Sequence, residues 1–150
     1  MRTWYSMQAA ANAPTTAEIS IFDEIGMWGV TAKQFISDLK ALGDVKDITL
    51  SLNSPGGSVF DGLAIYNALR SSGANVTVKV MGIAASIASV IAMAGKKIVM
   101  PENTFMMVHN PWSFAIGNAN DMREMADVLD KLGDSWSEPT CPVPASPRKR

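Results

Sequence analysis

Residues 48–70 read ITLSLNSPGGSVFDGLAIYNALR and carry the clearest structural signal in the chain. Residues 48–52 alternate apolar and polar side chains, which predicts a half-buried strand. Residues 53–57 must form a loop, because proline and paired glycines interrupt regular structure. Ser58 is a typical helix N-cap and is followed three residues later by Asp61, which predicts a helix over the remainder of the segment.

Strands and helices alternate on both sides of this segment. Thr31 and Gln34 form a predicted capping box at the start of a helix over residues 31–42. The other predicted elements are strands over residues 17–25, 76–80, 97–100 and 105–109, a helix or helix start over 82–94, and a helix over 120–132. Because such alternation requires crossover connections, we predict an α/β fold with a mainly parallel sheet.

The two ends of the chain differ in composition from the predicted domain, residues 17–132. Residues 1–16 are predicted to be a flexible arm, since Ala, Asn, Pro and Thr dominate their second half. Residues 133–150 hold four of the eight prolines, end in Arg-Lys-Arg and lack apolar periodicity, so we predict a disordered tail. The ten methionines are scattered along the chain, and we expect most of them to fill the core.

Composition excludes several classes of function. The length of 150 residues fits one domain, and 47% hydrophobic with 18% charged residues excludes a disordered chain. The formal charge of −1 argues against nucleic acid as a partner. Cys141 is the one cysteine and His109 the one histidine, so we expect no internal disulfide, no metal and no cofactor. No apolar run reaches the ~20 residues of a membrane span, and the N-terminus lacks a signal-peptide pattern, so we expect a cytoplasmic protein without a membrane partner.

Three segments carry residues suited to acyl-transfer chemistry. Gly56 and Gly57 let a ligand approach the backbone closely, although a plain strand-to-helix turn gives the same pattern. Residues 82–89 read GIAASIAS and place Ser86 where a strand meets a helix. A stripe of small residues that packs inside a buried helix would give the same pattern. His109 ends a predicted strand, where catalytic groups of parallel sheets gather. Serine is a weak nucleophile until an adjacent base takes its proton.

These segments, in this order, resemble the Clp protease proteolytic-subunit (ClpP-like) family of serine peptidases. The resemblance covers residues 17–132, a protease domain that it implies is incomplete at its C-terminal end. It is closest to the head maturation proteases of tailed phages and prophages. The motifs that carry this likeness are EISIFDEIG (18–26), WGVTA (28–32), NSPGGSVFDG (53–62), VIAMAG (90–95) and MPEN (100–103).

The resemblance implies a ClpP/crotonase-like spiral of β-β-α units and an assignment of catalytic roles. Ser86 is the implied nucleophile, His109 the implied general base, and the backbone N–H groups of Gly57 and Ile87 the implied oxyanion hole. Ser89, one turn further, does not match the nucleophile position. The implied substrate is a protein or peptide, capsid or scaffold protein in the phage branch. The implied assembly is a homo-oligomeric ring, and whether it works with an ATPase unfoldase stays open.

The sequence departs from the family pattern at the third triad residue, an aspartate that follows the histidine well beyond the helix predicted over residues 120–132. We assign no residue to this role, because no aspartate follows Asp134, Glu138 is the only later acid, and the helix acids do not match the position; these are Asp121, Asp127 and Asp130. We therefore expect a family member whose C-terminal part was truncated or replaced, as by a frameshift in a prophage.

Three other functions remain open from the sequence. The chain could be a catalytically inactive prophage remnant or an assembly subunit, which the missing acid favours. It could be a crotonase-fold enzyme of acyl-CoA thioesters, a fold that has no need for both Ser86 and His109. It could also be a peptidase with a Ser/Lys pair that uses Lys96 or Lys97, a weaker match to the serine and histidine context.

Overall fold

The computed structural model describes residues 4–11 and 13–137, which fall into two units, Met1–His109 and Asn110–Arg150. In chain order the elements are β1 (Tyr5–Ala10), β2 (Ala13–Ile21), α1 (Ala32–Ala41), β3 (Asp47–Ser54), α2 (Val59–Ser71), β4 (Asn75–Ala85), α3 (Ile87–Ala92), β5 (Lys97–Val99), β6 (Phe105–Met107) and α4 (Ala119–Ser137). All elements except α4 belong to the first unit.

A six-stranded sheet forms the centre of the first unit. β2, β3, β4 and β5 are successive parallel neighbours, whereas β1 is antiparallel to β2. β6 is also parallel to β4. The prediction of an α/β fold with a mainly parallel sheet is confirmed.

The segment from β3 to α2 folds largely as its sequence predicts, but β3 extends through Asn53 and Ser54, which the prediction placed in the loop. Ile48, Leu50 and Leu52 are buried, in the alternating pattern of a strand that buries one face. Ser58 ends the loop and its Oγ accepts a hydrogen bond from the Asp61 N–H at 3.3 Å. Because this bond satisfies one of the free N–H groups at the helix terminus, α2 begins at the next residue.

The start of α1 is held by side chains from two parts of the chain. Thr31 Oγ1 accepts from the Gln34 N–H at 3.3 Å, as predicted. The Gln34 amide donates to Asp38 at 2.8 Å, so the reciprocal half of the predicted capping box is not formed. The Ala32 N–H donates instead to the carboxylate of Asp61 on α2 at 2.8 Å. This bond ties the two helices together at the start of α1.

The core lies between the sheet and the helices of the first unit. Its largest fully buried side chains are Phe35, Ile19, Ile21, Ile25, Ile48, Leu50, Leu52, Ile65, Leu69, Ile87, Ile91 and Val30. None of the methionines in the described ranges is buried, and Met27 is 79% exposed, so their predicted role as core filler is wrong. The β-branched and leucine side chains of the strands occupy the core instead.

Predicted boundaries at both ends of the chain and at residue 82 need correction. The predicted arm, residues 1–16, contains β1 and the start of β2, which pair as an antiparallel hairpin. The predicted helix start at residue 82 is wrong, because β4 continues to Ala85 and α3 spans only Ile87–Ala92. The predicted tail, residues 133–150, begins inside α4, and residues 138–150 lie outside the described ranges. No helix within the described ranges is both long enough and apolar enough to cross a membrane.

Candidate active site

β4 changes its outer partner along its length, and this change brings the two predicted catalytic side chains together. Its first half pairs with β5 and its last three residues, 83–85, pair with β6. Ser86 directly follows the end of β4, and His109 lies two residues beyond the end of β6. Because the strands are parallel and in register at this point, both residues emerge at the same carboxyl edge of the sheet.

Ser86 occupies a sharp strand-to-helix turn. Its φ of 53° and ψ of −128° make it the one non-glycine residue with positive φ in the described part of the chain. Such a conformation costs about 1–3 kcal/mol and persists only where surrounding contacts enforce it. The Ser86 N–H donates to the Met107 carbonyl of β6 at 2.8 Å. The turn therefore has the backbone form of a nucleophile elbow.

Gly56, which the sequence predicts to allow close approach of a ligand to the backbone, also lies against the Ser86 turn. Its φ is +96°, and a Cβ built on it would lie 2.7 Å from Ser86 Cβ and 2.7 Å from the Ala85 carbonyl oxygen. A side chain at this position would therefore displace the serine. The glycine is required both by its backbone conformation and by the close approach of the loop to the turn.

The side chains of Ser86 and His109 are in direct contact. Ser86 Oγ lies 2.8 Å from His109 Nε2, within the distance for proton transfer from a hydroxyl to an imidazole. His109 is exposed and Ser86 half-buried, so the pair is open to a substrate. Among the described residues of the first unit, His109 makes no hydrogen bond other than this one. The arrangement can deliver a serine alkoxide to an electrophilic carbonyl.

Gly57 directly follows Gly56, the residue that contacts the Ser86 turn, and has a φ of +141°. The Ile25 N–H donates to the Gly56 carbonyl at 2.8 Å, and the Ser58 N–H donates to the Ile25 carbonyl at 2.7 Å. Since both bonds involve the neighbours of Gly57, they leave its own N–H unused. Ser54 Oγ accepts from the Gly56 N–H at 3.2 Å and holds the loop from within the core.

Ile87 is the second residue whose backbone N–H is predicted to bind the oxyanion. It is the first residue of α3, so its N–H has no acceptor within the helix. Its buried side chain packs against Gly62 of α2, where an added Cβ would overlap Ile87 Cγ1. This packing fixes the start of α3 immediately after the serine.

Ser89 forms hydrogen bonds within the turn that holds Ser86. It is buried, and its O–H donates to the Ser86 carbonyl at 2.6 Å. Its N–H donates to the same carbonyl at 2.9 Å. Ser89 therefore braces the strained turn from inside the helix and has no free hydroxyl to offer a substrate.

The lysines of the Ser/Lys alternative lie far from the serine. Lys96 Nζ donates to Asn75 Oδ1 at 2.6 Å, and Asn75 is the first residue of β4. Lys97 pairs with Thr77, two residues further along the same strand. Ser86 follows the opposite end of β4, which places these residues roughly 20–30 Å away. The geometry excludes both lysines as the base.

The acids of the C-terminal part, to which the sequence assigned no catalytic role, include a helix cap and form no metal site within the described residues. Asp121 accepts a hydrogen bond from the Asn118 N–H at 2.8 Å and so caps the start of α4. Within the described residues, no three histidine, cysteine, aspartate or glutamate side chains form a group that could hold a metal ion. Glu138 lies outside the described ranges.

Comparison with known proteins gives one consistent family. The Clp protease family model matches residues 6–138. The ATP-dependent Clp protease proteolytic subunit of Ligilactobacillus salivarius is 44% identical over 96 residues, covering 62% of this chain and 48% of the relative. Proteolytic subunit 1 of Synechococcus sp. is 36% identical over 108 residues, covering 68% of this chain and 55% of the relative.

A plant relative matches a larger share of the chain. The chloroplastic Clp proteolytic subunit 3 of Arabidopsis thaliana is 37% identical over 121 residues, covering 74% of this chain and 39% of the relative. The chain spans about half the length of the curated relatives it matches. The family model covers nearly all described residues, including the turn at Ser86 and the strand end at His109. This chain belongs to the Clp protease family.

Proposed function

We propose that this chain is a serine endopeptidase subunit of the Clp type. The observation that carries the proposal is the 2.8 Å contact between Ser86 Oγ, on its strained turn, and His109 Nε2. In the proposed reaction Ser86 Oγ attacks a peptide carbonyl while His109 takes the hydroxyl proton. The C–N bond then breaks, the amine leaves with that proton, and water hydrolyses the acyl-enzyme by the reverse transfers.

The N–H groups of Gly57 and Ile87 are the proposed donors to the oxyanion of the tetrahedral intermediate. Both belong to backbone held in place before the substrate arrives, Gly57 by the bonds around Ile25 and Ile87 by its packing on Gly62. Donors that are already oriented stabilise developing charge without reorganisation at the moment of reaction. Removing one such donor typically costs ~10²–10³ in kcat.

The proposed substrate is an extended protein segment, and the proposed working form is a homo-oligomeric ring. The relatives' names describe proteolytic subunits of ATP-dependent proteases. These names support a role as one subunit of an assembly that receives its substrate from an ATPase partner. The resemblance of the motifs at residues 18–26, 28–32 and 53–62 to those of phage head maturation proteases supports capsid or scaffold protein as the substrate. We place this activity in the cytoplasm of a bacterial host or phage-infected cell.

A catalytically inactive assembly subunit is the second candidate. The observation that favours it is that no carboxylate among the first unit's described residues forms a hydrogen bond or an ion pair with His109. Without an acid to orient the imidazole and stabilise its charge, an intact triad protease loses ~10⁴ in kcat. The direct contact between Ser86 and His109 argues against a crotonase-type acyl-CoA enzyme, which needs oxyanion donors but not this pair.

Cleavage of an unfolded protein tests the proposal. We expect the purified chain to release fluorescent peptides from labelled casein and the Ser86→Ala variant to release none. A parallel assay with assembled procapsids tests whether capsid or scaffold protein is the substrate. We expect specific cleavage of either the capsid protein or the scaffold protein. Equal release by the wild-type chain and Ser86→Ala would refute the serine mechanism.

A further inference from the structure

We propose that Asn53 is a positioning residue for the reaction of Ser86 with His109, an inference that rests on the proposed function. Asn53 belongs to β3, and its side chain holds a bulge in the neighbouring strand β4. The bulge spans residues 81–83 of β4 and ends at Ile83, the first of the three residues of β4 that pair with β6. Asn53 thereby acts on the catalytic pair through the backbone, without touching either catalytic side chain in the structure.

The pairing of β3 with β4 locates the bulge. Leu52 pairs with Val80, but the next pair is Ser54 with Ala84, so one residue of β3 faces three residues of β4. A parallel ladder cannot satisfy the additional backbone groups of the longer side by itself. The interruption needs a hydrogen-bonding group from outside the ladder.

Asn53 provides that group. Its Oδ1 accepts a hydrogen bond from the Ile83 N–H at 3.0 Å, across the interruption. Gly82 lies directly beneath the amide, since a Cβ built there would be 2.6 Å from Asn53 Oδ1. The side chain and the glycine therefore fit each other, and the bond depends on the absence of a side chain at residue 82.

The position of this bond explains why it should matter to catalysis. Ile83 pairs with Phe105 at the beginning of the β4–β6 ladder, and Ser86 follows three residues later. On the other strand, His109 follows Phe105 by four residues. The position of Ile83 therefore affects the two chain segments that lead to the catalytic pair, residues 83–86 and residues 105–109. The side chains at their ends, Ser86 and His109, are 2.8 Å apart. A misplacement of ~1 Å in such an arrangement can cost 10²-fold in rate.

The Asn53–Ile83 hydrogen bond is exposed, so its effect on the position of β4 can be measured separately from any effect on global stability. Water can replace an exposed acceptor, so loss of the bond should leave global stability nearly unchanged. A water molecule cannot hold β4 in the same position, because water is not attached to the neighbouring strand as Asn53 is. We therefore expect reactivity to fall while the unfolding midpoint stays close to that of the wild-type chain.

Asn53→Leu and Asn53→Asp form the matched pair of variants. Leucine removes the acceptor at similar size, whereas aspartate retains an oxygen that can accept from the Ile83 N–H. At pH 8, above the usual titration range of an imidazole, we expect Asn53→Leu to lower the rate of fluorophosphonate labelling of Ser86 by ~10- to 100-fold. We expect Asn53→Asp to restore most of the rate. Equal rates in Asn53→Leu and the wild-type chain would overturn the proposal.

The imidazole ¹⁵N spectrum gives a second measurement that does not require turnover. The sequence has one histidine, so its ring signals need no separation from others. We expect the Nε2 resonance of Asn53→Leu to move toward that of Ser86→Ala, which lacks the contact, and Asn53→Asp to retain the wild-type resonance. If the wild-type chain does not label at all, the proposed function fails, and an unchanged Nε2 resonance in Asn53→Leu still overturns the positioning role.

Gly82→Ala tests the same inference from the other strand. Its methyl group should displace the Asn53 amide, so we expect a loss of labelling rate similar to that of Asn53→Leu. In the Asn53→Ala background the methyl group meets no amide, and Gly82→Ala should cause little further loss. Fully additive losses in this double-mutant cycle would contradict a shared role at the bulge.

Discussion

Ser86 is held in an unfavourable backbone conformation by contacts on each side of it. The Met107 carbonyl binds its N–H, Ser89 binds its carbonyl through both backbone and side chain, and Gly56 lies against its Cβ. Each contact comes from a different element. The turn therefore forms only when β6, α3 and the loop after β3 are all in place, which links the reactivity of the serine to the complete fold of the first unit.

The two serines of the turn should respond differently to substitution. Ser86→Ala removes the nucleophile, and we expect it to abolish peptide cleavage. Ser89→Ala loses one hydrogen bond to the Ser86 carbonyl but keeps the bond from its N–H, so we expect it to retain most activity. Initial rates on a fluorogenic peptide compare the two, and similar losses in both variants would contradict the assignment.

His109 and Ser86 should act as a single unit. Because the imidazole takes the proton of the attacking hydroxyl, we expect His109→Ala to reduce the rate as far as Ser86→Ala does. The double variant should be no slower than either single variant. The same peptide assay, together with thermal unfolding to confirm that each variant is folded, provides the test. Full activity in His109→Ala would exclude this residue as the base.

At the scale of secondary-structure elements, two side-chain contacts attach α1 to its surroundings. Asp61 of α2 caps the first N–H of α1, and Tyr5 of β1 donates to Asp38 at 3.0 Å. The ring of Tyr5 also lies 6.2 Å from that of Phe35, the buried aromatic residue of α1. These contacts connect elements that are distant in sequence and tie the edge hairpin to the core.

Asp61 should contribute to stability through the cap on α1. Asp61→Ala leaves the Ala32 N–H without its acceptor, and we expect a loss of about 1 kcal/mol in the free energy of unfolding. Asp61→Asn keeps an acceptor oxygen and should lose distinctly less. Urea denaturation of the two variants measures the difference, and equal stability of Asp61→Ala and the wild-type chain would show that the cap contributes nothing.

Tyr5 should make the stability of the hairpin sensitive to alkaline pH. Burial, the hydrogen bond to Asp38 and the charge of that carboxylate all raise the pKa of the Tyr5 phenol. The native state therefore holds this proton at pH values where the unfolded chain, with a phenol pKa of ~10, has released it. The contribution is complete below pH ~10 and declines as the pH rises above that value.

The variant Tyr5→Phe isolates this effect. It loses the hydrogen bond, so we expect it to be less stable by about 1 kcal/mol at neutral pH. Between pH 9 and 11 the stability of the wild-type chain should fall more steeply than that of Tyr5→Phe, and the two curves should converge. Parallel curves over this range would contradict the stated role of the Asp38 contact.

Elements with local signals were predictable from the sequence, and elements that depend on distant pairing were not. The caps at Thr31 and Ser58 act within four residues, so the helices α1 and α2 were correctly located. Residues 82–85 have small side chains compatible with helix or strand, and only pairing with β6 makes them a strand. The hairpin of β1 and β2 likewise depends on pairing that its polar, alanine-rich sequence does not indicate.

The same distinction applies to the candidate site. Ser86, His109, Gly57 and Ile87 were identified through a resemblance in motif order, and the structure brings the first two into contact. Gly56 and Asn53 were part of a quoted motif, but their contacts with Ser86 and Ile83 cross between strands. Neither contact has a signal in the local sequence, so their roles required the structure.

At the scale of the whole molecule, an apolar surface adjoins the candidate site in the first unit. Ile83 of β4 pairs with Phe105 of β6, and the nearby Met81 and Met107 belong to the same two strands; all four side chains are exposed, Phe105 at 68%. Monomeric proteins rarely expose contiguous apolar surface of this kind. The surface suits the proposed homo-oligomeric assembly, because subunit contacts would remove it from water.

Assembly should therefore depend on this surface. We expect sedimentation velocity to show the wild-type chain as a species larger than a monomer, and Phe105→Lys to shift it toward the monomer. Ser71→Lys, which adds the same charge at the exposed end of α2, should have no such effect. A monomeric wild-type chain, or unchanged assembly in Phe105→Lys, would contradict a role for this surface in self-association.

Fluorophosphonate labelling measures whether the fold of the first unit activates a serine. The probe reacts with a serine whose proton an adjacent base can take and whose oxyanion finds donors. We predict that the folded wild-type chain is labelled, and that peptide mapping places the label on Ser86 alone. A chain shown to be folded that takes no label, or takes it on Ser89, would show that Ser86 is not an activated nucleophile.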